Sequence, residues 1–73
     1  LNLIFFTAVD CGSLTVTNGM VDTSSGTTFM NTATYTCNNG YGLMGDITRT
    51  CQSNGTWSSA APTCRGESVG FFI

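Results

Sequence analysis

The chain has no histidine and no lysine. Its bases are Arg49 and Arg65, set against four acids, Asp10, Asp22, Asp46 and Glu67. Each scarcity removes a class of function. Two scattered arginines make no basic patch to displace counterions from nucleic acid, so no nucleic-acid partner is expected. Without His or Lys, the many Ser and Thr hydroxyls have no evident base to activate them. A carboxylate pair for glycoside hydrolysis would have to be Asp22 and Asp46, and nothing in the pattern makes them converge. There is no phosphate-binding loop and no dinucleotide fingerprint. The chain therefore reads as a non-enzyme that takes no cofactor. The apolar start, LNLIFFTAVD, is too short to span a bilayer, so no membrane insertion by this segment is expected.

What is present is cysteine. Seventy-three residues make at most one domain, and a core that small barely offsets chain entropy. Cys11, Cys37, Cys51 and Cys64 are available as staples, spaced C-x25-C-x13-C-x12-C. A zinc site would normally show a short C-x2-4-C knuckle or some histidines, and neither occurs. The four cysteines read instead as two disulfides, with no thiolate left over and no metal, in an oxidising extracellular-type compartment. Sequence alone leaves three pairings open.

The ends differ from the middle. Phe5, Phe6, Phe71 and Phe72 lie in the flanks, and only Phe29 lies between the first and last cysteine. Residues 1–8 and 66–73 read as non-domain flanks around a domain at 9–65. The first flank reads either as a signal-peptide remnant or, like the second, as intron read through by a one-exon gene model. Phe-Phe-Thr-Ala-Val back-translates to a pyrimidine tract with a splice acceptor, and Gly66-Glu67-Ser68 to a splice donor.

Between the flanks no helical period appears. Thr, Val, Tyr and Phe recur in short runs cut by Gly and Asn, the pattern of short strands and frequent turns. Asn18-Gly19 marks a turn before a strand. Residues 28–37, TFMNTATYTC, form the longest strand-prone run, with Ala33, Tyr35 and Cys37 on one face and Thr34 and Thr36 on the other. Residues 47–52 alternate in the same way. Asn54-Gly55 predicts a tight hairpin turn of the type that favours positive φ.

ATYTC, then GYGLMG, then C-x3-G-x-W-S-x3-P-x-C resembles a sushi domain, also called a complement control protein or short consensus repeat module. The resemblance runs from Cys11 to Cys64 and takes in Asn18-Gly19, Tyr35, Gly40-Tyr41, Leu43, Gly45, Gly55, Trp57 and Pro62. One position departs: Leu14 stands where the family usually has proline. The resemblance implies a small, elongated all-β module with bridges Cys11–Cys51 and Cys37–Cys64 near opposite ends. It also implies that Trp57 covers the second bridge and fills a thin core with Tyr35 and Leu43, and that Pro62 sets an extended path into Cys64.

Asn54-Gly55-Thr56 is an N-x-T acceptor triplet, so Asn54 is a candidate for glycosylation. Met20, Met30 and Met44 read as fillers of core gaps. Tyr41 and Leu43 read as packing beneath a glycine turn. The implied role is a non-catalytic extracellular protein-interaction or spacer module, one unit of a larger mosaic secreted or cell-surface protein. Its partners are then a protein ligand and the neighbouring modules. The alternatives are an accessory domain of a secreted mosaic enzyme, such as a serine protease, and a purely structural spacer.

Overall fold

The computed structural model describes residues 9–66. The flank readings for 1–8 and 67–73 lie outside the described residues. Five strands form among the described residues: β1 (Gly19–Asp22), β2 (Thr32–Cys37), β3 (Tyr41–Met44), β4 (Thr48–Thr50) and β5 (Thr63–Gly66). No helix occurs among the described residues. β5 runs one residue beyond the expected domain end, since Gly66 pairs with Tyr41.

β1, β2 and β4 make a three-stranded antiparallel sheet with β2 in the middle, and β3 and β5 make a two-stranded antiparallel pair. β2 shows why the sequence folds this way. Its period of two places Ala33 and Tyr35 inward, at 0 % and 1 % exposure, while Thr32 and Thr36 face solvent. Val21 lies opposite Tyr35, and Arg49 opposite Ala33.

Two disulfides close the fold, Cys11–Cys51 and Cys37–Cys64. Their sequence separations of 40 and 27 residues make each worth about 3.5–4 kcal/mol in the chain-entropy account. β2 acts as the ruler between them. The Cys51 amide bonds the carbonyl of Asn31 just before β2, at 2.9 Å, and β2 ends in Cys37. Six residues of strand put the bridges about 20 Å apart, near opposite poles.

The hydrophobic core is small and gathers at one pole. Ala33, Cys51 and Trp57 form its cluster, with Cys11, Leu14 and Val21 packed against them, and Tyr35 is buried apart from that cluster. Trp57 therefore lies on the Cys11–Cys51 bridge and not on Cys37–Cys64. Cys51 and Trp57 face each other across an isolated antiparallel bridge, and the indole N–H donates to the Gly12 carbonyl at 3.2 Å. The short hairpin from Cys51 to Trp57 fixes this, because it returns the tryptophan beside the cysteine it left. Leu14, at the departing position, fills part of the same cluster. Leu43 is half-buried and lies opposite Cys64, at the other pole.

At that second pole backbone closeness replaces side-chain packing. A Cβ on Gly19 would stand 2.5 Å from the Thr36 carbonyl oxygen and 2.8 Å from Cys64 Sγ, so no larger residue fits without a shift. Gly45, at φ +114°, lets Pro62 approach to 3.2 Å of where its Cβ would be.

Candidate functional site

The described chain enters at the first pole and leaves at the second. The Val9 carbonyl accepts the Phe29 amide at 2.8 Å beside the Cys11–Cys51 bridge. Gly66 pairs with Tyr41, immediately after the Asn38–Tyr41 turn that follows Cys37.

The loop from β1 to β2 carries the most conspicuous surface. Phe29 is 46 % exposed and Met30 71 % exposed. Met30 also holds φ at +77°, a left-handed conformation that costs a side-chain-bearing residue about 1–2 kcal/mol. Its neighbours hold it there. Met30 N–H donates to the Cys51 carbonyl at 2.9 Å, Asn31 N–H to the Thr28 carbonyl at 3.0 Å, and Asn31 Nδ2 to Thr28 Oγ1 at 2.8 Å. The result is two adjacent apolar side chains presented to solvent from an over-determined backbone. Strain of this kind collects where a surface is used.

This corrects the expectation for the methionines. Met20 and Met44 are also exposed, at 67 % and 53 %. They stand at strand positions of opposite parity to the inward Val21 and Leu43, so they face away from the core. Tyr41, by contrast, is half-buried, with Gly66 near its ring.

The turn at residues 52–56 sits at the same pole. Gly55 N–H bonds the Gln52 carbonyl at 3.1 Å, and Gln52 N–H bonds the Thr56 carbonyl at 2.9 Å. Gly55 alone in this turn takes positive φ, at +87°. The loop is thus a three-residue hairpin closed by a glycine bulge, not the two-residue turn with Asn54 at positive φ that Asn-Gly suggested. Asn54 is exposed, and its Oδ1 accepts both the Thr56 N–H at 3.1 Å and the Thr56 hydroxyl at 2.7 Å.

Asp10, Asp22 and Arg49 are spent on local structure. Asp10 is held below its ordinary carboxyl pKa by the Gly12 N–H and the Thr27 hydroxyl, at 2.9 and 2.7 Å. Asp22 is lowered in the same way by the Ser24 N–H at 2.9 Å. Arg49 had no assigned role from the sequence, yet it binds the fold together. Its Nε donates to the Ser58 carbonyl at 2.9 Å, Nη1 to Tyr35 Oη at 3.2 Å, and Nη2 to the Ser59 carbonyl at 3.0 Å. Its signal in the sequence was parity, since Arg49 alternates in phase with Cys51 toward the core. Among the described residues no group of three or more His, Cys, Asp or Glu is placed to hold a metal ion. The shallow groove along Thr15, Val16, Thr17, Pro62, Thr63 and Cys64 presents no titratable side chain. No helix among the described residues is long and apolar enough to cross a membrane.

The family profile described as Sushi repeat (SCR repeat) matches residues 11–64. The chain is 45 % identical over 56 residues to the mouse protein named Sushi, von Willebrand factor type A, EGF and pentraxin domain-containing protein 1, covering 77 % of this chain and 2 % of that protein. It is 44 % identical over 50 residues to Protein lev-9 of Caenorhabditis elegans, covering 68 % of this chain and 8 % of the relative. It is 38 % identical over 53 residues to the complement decay-accelerating factor of Pongo pygmaeus, covering 68 % and 16 %. The chain thus spans a small fraction of the length of these relatives.

Proposed function

Because the chain belongs to the sushi repeat (SCR repeat) family, we propose that it is a non-catalytic extracellular module of a longer mosaic protein, and that it contacts a protein ligand through the loop that presents Phe29 and Met30. Met30 carries this reading. A large apolar side chain, mostly exposed and kept at positive φ, serves no packing role that would repay its strain. Adjacent exposed aromatic and thioether groups suit a protein surface, where such side chains are enriched at contacts. The two disulfides support the extracellular compartment. Similarity to a protein named for accelerating complement decay supports contact with another protein as the role.

A second reading, the passive spacer, rests on a separate observation. The described chain passes from pole to pole, which sets whatever precedes and follows it about one module length apart.

Met30→Gly separates the two readings. Glycine suits φ +77°, so the variant keeps or slightly raises the melting temperature while it removes the side chain. Wild type and variant would be tested for binding across an array of secreted and cell-surface proteins. A ligand bound by wild type and lost by at least tenfold in Met30→Gly, at unchanged melting temperature, is the expected result. Binding that survives the variant sinks the assignment to this loop, and no binding by either form favours the spacer.

A further inference from the structure

We infer that Asn54 is a glycosylation site, and that its glycan stands at the same pole as Phe29 and Met30. The inference rests on the extracellular reading above, since the donor is a polyisoprenyl-diphosphate-linked oligosaccharide of the secretory pathway. Asn54-Gly55-Thr56 is the one N-x-S/T triplet in the sequence. The structure adds three observations to the motif.

First, the acceptor is outside. Asn54 and Thr56 are both exposed, and they lie at the tip of the hairpin that joins Cys51 to Trp57. Second, the carboxamide is engaged on one side. The described hydrogen bonds of Asn54 run through Oδ1 alone, to the Thr56 N–H and hydroxyl. A substituent on Nδ2 therefore costs the fold none of these bonds. Third, the turn is built without Asn54 at positive φ, because Gly55 takes that conformation. The backbone places no special demand on the modified residue.

Nδ2 attacks the anomeric carbon of the donor sugar. The new C–N bond replaces the C–O bond to diphosphate, one amide proton passes to a base of the transferase, and polyisoprenyl diphosphate leaves. Transfer occurs on the emerging chain, so the folded module has only to tolerate the product.

The position gives the glycan a role. Met30 N–H bonds the Cys51 carbonyl, and the turn that carries Asn54 begins at the next residue. Gly55 lies beside Val9, with 3.8 Å between Val9 Cγ1 and where a Gly55 Cβ would be, and the Val9 carbonyl holds Phe29. Sugar and apolar pair share one pole, so glycan occupancy limits what can approach Phe29 and Met30. With few charges on the chain, the glycan also supplies hydration there.

The test uses the full chain behind a cleavable secretory leader in human cells, which makes the result independent of the native address. Peptide-N-glycosidase should lower the apparent mass of the product in medium or cell extract by about the mass of one glycan. Asn54→Gln and Thr56→Ala should each abolish that shift, and Thr56→Ser should keep it. Bis-ANS fluorescence should be at least twofold higher for Asn54→Gln than for the glycosylated chain, with both disulfides formed in each. No shift in either fraction, or a shift that survives Asn54→Gln, overturns the site. Equal dye binding overturns the shared-pole role. Secretion with intact disulfides but no glycan leaves the extracellular reading standing and removes this one alone.

Discussion

The two disulfides hold their halves of the module by different means. At the first pole Cys51 is buried, Trp57 lies against it, and Ala33, Leu14 and Val21 complete a packed cluster. At the second pole Cys37 and Cys64 are both only half-buried. There Gly19 and Gly45 bring backbone against the sulfur and against Pro62, and Leu43 is the apolar residue opposite Cys64. One half is held by apolar burial and a staple, the other by close backbone approach and a staple. Four buried hydrophobic residues among the described ones cannot pack both ends.

The sharpest way to break this contrast is Trp57→Ala. Truncating a buried tryptophan typically costs about 3–5 kcal/mol, comparable to the whole stability of so small a domain. Circular dichroism should show the variant largely unfolded at 37 °C with its disulfides intact. A loss below about 1 kcal/mol would mean that the first half does not depend on its core.

Gly19→Ala probes the other half and should cost less, about 1–3 kcal/mol, because the new methyl meets a carbonyl oxygen and a sulfur that are both tied down. Amide exchange should quicken in β1, in the end of β2 and in β3 and β5, while Trp57 fluorescence stays native. Equal loss of protection around Trp57 would show that the halves are one cooperative unit.

The smallest expected effect is acid sensitivity. Asp10 and Asp22 have folded pKa values below their unfolded ones. Their contribution is therefore present above the unfolded pKa and is lost as pH falls through the folded one. Both are solvent-exposed, so the loss should be slight. Asp10→Asn should flatten the fall in melting temperature between about pH 5 and pH 2, and an unchanged slope would remove Asp10 from the account.

Much of this was legible because it is written in period and punctuation. Alternation in β2 put Ala33 and Tyr35 on one face, which the fold turns inward, and the Asn18-Gly19 and Asn54-Gly55 pairs marked real turns. The family resemblance, not the spacing, supplied the disulfide pairing. What escaped was tertiary placement. Trp57 was assigned to the wrong bridge, because only the hairpin's return decides which sulfur it meets. Met20 and Met44 were read by chemical type when their strand parity pointed outward. Met30 at positive φ carried no local signal at all, since it is imposed by bonds to Cys51 and across the Thr28–Asn31 turn. The role of Arg49 required the Trp57–Ser59 segment to pass beside β4.

The placement of the bridges also has a mechanical consequence. A pull applied at Val9 and Gly66 passes through Cys11 directly to Cys51, from which two parallel routes lead to the end: back along the chain to Cys37 and across its bridge, and the shorter leash from Cys51 to Cys64. That leash is thirteen residues, about 45 Å at full extension, where the reduced chain would give about 200 Å. A parent protein under shear would thus lengthen at this module by a short, defined step. The residues that yield are those around Trp57 and, on the parallel route, β3 and β4, so the core that anchors the first pole is part of the fuse.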